Sequence, residues 1–420
     1  MSPHNAPRTP RDAVVIGAGM TGLATAWFLQ EAGVEVTVVD RRHVAAGASW
    51  GNAGWLSPAL AVPLPEPGAL RLGLRTLLSP ASPLYIPPRA DPRLARFLLS
   101  FSRNCTPRRR RIAMSALAPL NRQAQAAYDE LARGGVAEPT HQSDPCLIAF
   151  TTEAARTPFL HELEAVRAAG QSVDYDLLSG AEARAMEPAL SERTGAAVRL
   201  HGQRFLNPGA YAAALADAVR ERGGKVVEGL RVTRVQDHGS EVAVVASDGT
   251  DLRADTAVLA NGAWLNRLAA PFGVRAAVQS GRGYSFTLPA EGLPTGPTYF
   301  AAQRVVCTPL GERVRVAGMM EFTAPDRPAD PRRVQAVIDA ARPMLPGADF
   351  SRRTDEWAGP RPCTADGLPL VGPTRSPRVH VCGGHGMWGV ALGPLSGKLL
   401  AESIVTGRSA AELTSLHPLR

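Results

Sequence analysis

Gly17-Ala18-Gly19-Met20-Thr21-Gly22 closes a short apolar run, Ala13 to Ile16, and opens a segment in which Leu23, Ala26, Trp27 and Leu29 recur at helical spacing. Val34 to Val39 then alternates as a strand and stops at Asp40. In a strand, turn, helix, strand unit each of these residue types has a use. Gly17 permits the tight turn, Gly19 lets backbone approach a pyrophosphate, and Gly22 lets helix and strand pack closely. The helix N-terminus attracts phosphate, and Asp40 can accept hydrogen bonds from ribose hydroxyls, which favours an adenosine without a 2′-phosphate. The chemistry is capture of the ADP half of a dinucleotide, which flavin and nicotinamide cofactors share. Ala46 to Gly54 adds small residues and free amides soon afterwards, suited to wrapping an extended cofactor or to an ordinary glycine-rich loop.

The elements that must position these groups are readable in outline. Helix Ala210 to Arg222, Gly223-Gly224 and strand Lys225 to Glu228 repeat the helix-to-strand grammar of the opening unit. Arg231 to Gln236, Glu241 to Ser247 and Thr256 to Ala260 follow as strands flanking a nucleotide site. The pattern changes between Ser280 and Phe322, where Tyr284 to Leu288, Val305 to Cys307 and Val314 to Val316 read as an antiparallel sheet. Asp330-Pro331 caps a helix running to about Met344, and Val379 to Cys382 is a last strand before a closing helix from about Gly389. Pro58 to Pro92 is a proline-studded excursion. Thr106-Pro107 then starts an amphipathic helix with Arg108 to Arg111 on a solvated first turn.

At 420 residues the chain suits two domains rather than one core. With 45% hydrophobic and 20% charged residues, neither disorder nor a membrane bundle is indicated. No apolar signal region follows Met1 to Arg11, and no run of about 18 apolar residues appears, so a cytoplasmic protein without a spanning helix is expected. Five cysteines without a CxxC pair exclude a zinc ribbon; reduced thiols and no metal site are expected. The formal charge of +8 suits solvated surface, an acidic ligand, nucleic acid or an anionic membrane.

Motifs spread along the chain carry a more specific resemblance. These are the fingerprint through Asp40, Ser49 to Pro58, Asn104-Cys105, Gly262-Ala263-Trp264, Gly283-Tyr284-Ser285, Trp357 to Gly372 and Gly384-His385-Gly386. In order and spacing they resemble the D-amino acid oxidase superfamily of FAD-dependent oxidoreductases. The likeness is nearest to bacterial D-amino acid dehydrogenases, looser to glycine and sarcosine oxidases. The implied fold is α/β, a Rossmann-like FAD-binding domain (1–75, 196–268 and 352–420) with an α+β substrate domain on an antiparallel sheet (76–195 and 269–351).

The resemblance also implies roles. Gly17, Gly19, Met20, Thr21 and Gly22 would hold the pyrophosphate, and Asp40, Arg41 and Arg42 the adenosine. Ala48, Ser49, Asn52, Ala53, Gly54, Trp55 and Leu56 would run along the pyrophosphate and flavin. Val232 would offer its backbone to adenine, and Ala260, Gly262 and Trp264 would belong to the loop closing over the cofactor. Gly367, Leu368, His385, Gly386, Met387 and Gly389 would flank the flavin ring. Arg361 falls where relatives clamp the substrate carboxylate, a task suited to the two parallel donors of a planar guanidinium. Tyr284 either approaches the substrate or packs, and His385 either contacts the flavin or shapes its turn. Gly359 stands where covalent relatives have a cysteine, so noncovalent FAD is expected.

The implied activity is hydride transfer from Cα of a D- or secondary amino acid to flavin N5. The imino acid product would hydrolyse to a 2-oxo acid, and the electrons would pass to oxygen, a quinone or another carrier. Rival expectations are a tailoring oxidase for a larger or carrier-bound amine, with Trp55 and the proline-rich excursion widening the pocket, and flavin-dependent nucleic-acid modification served by Arg108 to Arg111. A flavin-binding module without catalysis is a third, and peripheral contact with a membrane face is a further expectation at those arginines.

Overall fold

The computed structural model describes residues 9–68, 79, 81–88 and 90–420. The expected domain boundary at 75–76, part of the proline-rich excursion and the first eight residues lie outside them. Strands that are apolar on both faces must be covered on both faces. Val14, Val15, Ala257, Val258, Val379 and Val381 are accordingly buried in the middle of a six-stranded sheet. Its order is Lys225–Val227, Glu35–Val39, Asp12–Ile16, Thr256–Leu259, Val379–Gly383 and Leu370–Pro373. All neighbours are parallel except the last pair.

The fingerprint helix, Met20–Glu31, packs against the C-terminal helix, Gly389–Thr406. Gly389, Gly393 and Gly397 recur every four residues and so share one helix face. A β-carbon on Gly393 would stand 2.8 Å from Thr21 Oγ1, and one on Gly397 2.7 Å from the Thr25 amide nitrogen. Only glycine permits this approach. The 27-residue helix Pro107–Arg133 closes the layer, and its Tyr128 hydroxyl donates to the Val390 carbonyl at 2.5 Å. Thr106 caps that helix through its hydroxyl as its sequence predicts. Of the four arginines on its first turn, Arg110 turns inward to Glu162 (3.4 Å) and Glu66 (3.7 Å), so three rather than four are solvated.

A larger sheet is antiparallel for most of its width. It runs Thr354–Thr364, Val278–Pro289, Arg313–Phe322, Val305–Leu310, Thr298–Phe300, Leu147–Phe150, Ala196–Leu200 and Tyr175–Ser179, with Leu84–Tyr85 alongside the third of these. The helix Pro331–Ala341, capped by Asp330, covers one face through Val334, Val337, Ile338 and Ala341. Two segments expected in the nucleotide-binding part, 196–200 and 354–364, are strands of this sheet instead. Their alternation matches partners that lie far away in sequence, which local pattern cannot reveal.

Gly22 sits where the fingerprint helix meets the first strand; a β-carbon there would be 1.9 Å from the Gly17 carbonyl oxygen. Gly22→Ala is expected to destabilise the protein by about 1–3 kcal/mol through overpacking against backbone that cannot yield. Urea denaturation of the two proteins side by side measures it, and an unchanged midpoint would contradict the packing described.

Candidate functional site

One cleft gathers the carboxyl ends of the parallel strands, where open α/β sheets bind ligands. Gly17, Gly19, Met20, Thr21, Asp40, Arg41, Arg42, Ala48, Ser49, Asn52, Val232, Ala260, Gly262, Trp264, His385, Gly386 and Gly389 all line it. Two helices point their N-termini into it. Neither Met20–Glu31 nor Gly389–Thr406 has an acidic residue in its first turn or a capping side chain at its N-cap residue, Gly19 and Trp388. Ser49 Oγ accepts from the Met20 amide at 3.1 Å. The first-turn amides left beyond that bond carry the positive end of the helix dipole, a site for phosphate.

Asp40 is held rather than free. Its two carboxylate oxygens accept from the Ala18 and Arg42 amides, each at 2.9 Å, which orients the group and leaves a lone pair on each oxygen. Beside it the Arg41 guanidinium lies 3.7 Å over the Trp264 ring. Asp326 clasps both, 2.5 Å from Arg41 Nη2 and accepting from Trp264 Nε1 at 2.9 Å. Asp326, 285 residues beyond Arg41 in sequence, is a cleft residue that sequence reasoning missed. No local signal marks it. Asn261 Oδ1 is buried without a hydrogen-bond partner among the described residues, on a residue that also lines the cleft. The helix N-termini, the cradle of glycines, the oriented carboxylate and this orphaned acceptor are a donor and acceptor set that fits the ADP half of FAD.

Several expected cofactor residues lie elsewhere. Gly22 is packing, as described. Ala53 accepts from Thr308 through its carbonyl, and Gly54, at φ +79°, lies 2.1 Å in its β-carbon direction from the Leu206 carbonyl oxygen. Leu56 and Leu368 belong to the core, and Gly367 abuts Pro63 and Pro65. Met387 packs beside Leu64 and Cys363. Trp55 is buried and donates from Nε1 to Thr308 Oγ1 at 2.8 Å, so it fills a core and does not widen a pocket.

Arg361 stands between Pro360 and Pro362, which line the cleft, and projects from the opposite face of its strand. On that face it meets glycine. Arg361 pairs with Gly281 and Gly359 with Gly283, and a β-carbon on Gly283 would be 2.2 Å from the guanidinium carbon. Trp357, on the same face, lies over Gly359 and Gly51 in the same manner. Glycine backbone thus lies directly beneath both the cation and the indole. Arg361 Nη1 donates to the Met319 carbonyl at 2.9 Å, and no Asp or Glu among the described residues forms an ion pair with it. Burial lowers its pKa from the usual value, yet an arginine remains charged. Met319 has φ +63°, an uncommon conformation for a non-glycine residue, at a register shift between the two neighbouring strands.

Tyr284 does not join Arg361. It pairs with Ala358, so strand alternation turns it to the other face, where the Pro331–Ala341 helix packs. Its hydroxyl donates to Glu321 at 2.5 Å, and burial, then that bond, push its pKa well above the ordinary tyrosine value, so it stays protonated. The packing alternative is the one observed. His385 lines the cleft with Nε2 2.9 Å from Ser396 Oγ, and burial holds its pKa down to about 4. A neutral, anchored imidazole shapes the turn.

A family model described as FAD dependent oxidoreductase (DAO) matches residues 12–403. A D-amino acid dehydrogenase of Bradyrhizobium diazoefficiens is 31% identical over 413 residues, covering 96% of this chain and 97% of that protein. One of Cereibacter sphaeroides is 33% identical over 414 residues, covering 94% and 92%. The glycine oxidase structure from Geobacillus kaustophilus superposes with a TM-score of 0.72 at 23% identity, over 98% of both chains.

His385 and His380 are both buried with pKa values lowered to about 4, against 6.5 for the free side chain. The unfolded chain therefore takes up protons first as pH falls. Stability is fully present above pH 6.5 and declines toward pH 4, by up to about 1.4 kcal/mol per pH unit for each histidine. His385→Gln, which keeps a partner for Ser396, is expected to flatten the slope of unfolding free energy between pH 6.5 and 4.5. An unaltered slope would show that His385 is not buried neutral.

Proposed function

The chain belongs to the DAO family of FAD-dependent oxidoreductases, and from that premise we propose that it oxidises the Cα–N bond of a D-amino acid or a secondary amino acid. The product is an imino acid, which water hydrolyses to the 2-oxo acid and the free amine. One observation carries the reading. Arg361 is a half-buried cation lying on glycine of the neighbouring strand, with no carboxylate partner among the described residues. A planar guanidinium left in that state is suited to a ligand carboxylate, which it can take through two parallel donors.

The residues have separable tasks. The fingerprint glycines, the two helix N-termini, Asp40 and the Arg41–Asp326–Trp264 clasp would hold FAD, which when bound supplies a two-electron, hydride-accepting oxidant. Arg361 binds and orients the substrate carboxylate, and Met319 fixes Arg361 through its carbonyl. Trp357, lying over Gly359 and Gly51, would wall the same face of the sheet. With His385 neutral and Tyr284 bonded to Glu321, neither is placed to take a proton from the substrate. The substrate therefore enters with its amine already neutral. FAD is held without a covalent bond: Cys382, the cleft cysteine, is a buried thiol whose pKa burial raises to about 12, so it is no nucleophile. The electrons leave to a carrier such as a quinone, or to oxygen. The amino-acid dehydrogenase names of relatives more than 30% identical weigh against the larger carrier-bound amine and nucleic-acid readings.

Anaerobic bleaching of the flavin by a panel of D- and L-amino acids, proline and sarcosine tests the activity; a spectrum that none of them alters would overturn it. Arg361→Met is expected to lower kcat/KM for the best amino acid by about 30- to 5,000-fold, the equivalent of roughly 2–5 kcal/mol for one partner of a charge pair. Turnover of the matching amine without a carboxylate should change far less, and equal losses on both would refute the carboxylate role. Acid precipitation of the protein should release all flavin to the supernatant; flavin retained in the pellet would mean a covalent link.

A further inference from the structure

The side chain of Arg361 is held by the Met319 carbonyl, and what fixes that carbonyl lies on the other face of the sheet. Arg282 pairs with Glu321 and Tyr284 with Gly318, so two residues, Met319 and Met320, stand opposite Gly283 alone. This is a β-bulge, which re-aims the chain at one point. Met319 accordingly buries its side chain with Tyr284 and Val337 under the helix Pro331–Ala341, whereas Met320 packs with Phe322 and Cys363 on the face that carries Arg361. The φ of +63° at Met319 persists only where the surroundings over-determine it. Those surroundings are polar and buried. Arg333, wholly buried on the covering helix, donates from Nη2 to the Met320 carbonyl at 3.2 Å and from Nη1 to the Ser82 carbonyl at 2.6 Å. The Met320 amide donates to the Pro83 carbonyl at 2.7 Å, and the Glu321 carboxylate accepts from the Tyr284 hydroxyl. Apolar residues of similar volume would cover the sheet at less cost. Arg333, Tyr284 and Glu321 instead grip the bulge or the residue beside it, and none of them lines the cleft.

We propose that Arg333, with Tyr284 and Glu321, is a positioning residue for the substrate carboxylate: from the covered face of the sheet it locks the bulge that aims the Met319 carbonyl at Arg361. The proposal rests on the reading of Arg361 as the carboxylate clamp. Recognition of a carboxylate by two parallel donors depends on the angle of the guanidinium plane. If the bulge moved by one residue, the accepting carbonyl would leave the face of Arg361, and the guanidinium would lose its anchor. Arg333 opposes that shift by holding the next carbonyl along the chain, and the Tyr284–Glu321 bond pins the residue after it. Tyr284 thus serves the site through the backbone rather than by touching substrate. A purely structural role, fastening the helix Pro331–Ala341 to the sheet, would predict lost stability without lost preference for a carboxylate.

Two unreactive probes separate these roles. The best amino acid with methyl in place of each Cα hydrogen cannot give up a hydride, and the carboxamide of that analogue lacks the negative charge. Calorimetric titration of the flavin-loaded full-length protein with each gives the ratio of the two affinities. Arg333→Met is expected to cut the preference for the carboxylate about a hundredfold, the effect of a misplacement near 1 Å at the clamp. Tyr284→Phe and Glu321→Gln, each nearly isosteric, should cut it about fivefold, the equivalent of one hydrogen bond; they carry the test if Arg333→Met does not fold. Arg333→Lys, which keeps a buried donor, should recover part of the loss. Affinity for the carboxamide and the flavin spectrum should stay those of the parent. Arg361→Met is the reference. If it abolishes the preference while Tyr284→Phe and Glu321→Gln leave it unchanged, the positioning role is overturned and the clamp stands. If the parent shows no preference, or Arg361→Met does not alter it, the clamp falls and the positioning role with it. Equal weakening of both probes, or lowered thermal stability alone, would also overturn the proposal.

Discussion

Close approach of backbone to backbone and to large side chains, at positions without a β-carbon, is the constraint on which this architecture rests. Gly17 and Gly22 let the first strand, its turn and its helix close on one another. Gly393 and Gly397 bring the C-terminal helix onto the same helix from the other side. Only because both helices sit so close to the sheet do their N-termini share one cleft, and two aligned dipoles then reinforce each other at the place where a pyrophosphate binds. Gly51, Gly283 and Gly359 apply the same device at the second sheet, where the space left by absent side chains is taken by the faces of Trp357 and Arg361.

A guanidinium half-buried without a carboxylate is costly unless its donors are met. The strained backbone at Met319 is part of the answer, because its carbonyl accepts from Arg361. The next carbonyl, at Met320, accepts from Arg333 on the other face of the sheet, and Arg333 also donates to the Ser82 carbonyl. Two arginines thus hold successive carbonyls of one irregular stretch from opposite sides. The arrangement places Arg361 before any ligand arrives, and preorganisation of this kind is what lets a charge-assisted bond favour one orientation of substrate.

The two sheets are coupled through charge as well as packing. Arg41 follows a strand of the parallel sheet, whereas Asp326 follows Arg313–Phe322 of the antiparallel one. Their ion pair, stacked on Trp264, closes the adenosine end of the cleft with groups from both. Arg315, buried on the antiparallel sheet, reaches the Trp50 carbonyl at 2.6 Å and so ties the same sheet to the loop behind Ser49. Binding at the cleft and shape around Arg361 therefore share supports.

The parallel unit was legible because its information is local. Strand, glycine turn, helix and terminal Asp40 lie within 30 residues, and hydrophobic period and glycine sterics act over that range. Order and spacing of later motifs extended this to the family, to FAD and to Arg361 as the residue of interest. Tertiary structure alone decided which sheet 196–200 and 354–364 join, that Asp326 clasps Arg41, that Tyr284 faces Glu321 rather than Arg361, and that Trp55 packs against Thr308. Each of these depends on strand register or on partners between 37 and 285 residues apart. A shift of one residue in pairing turns a side chain to the opposite face, and no local pattern carries that choice.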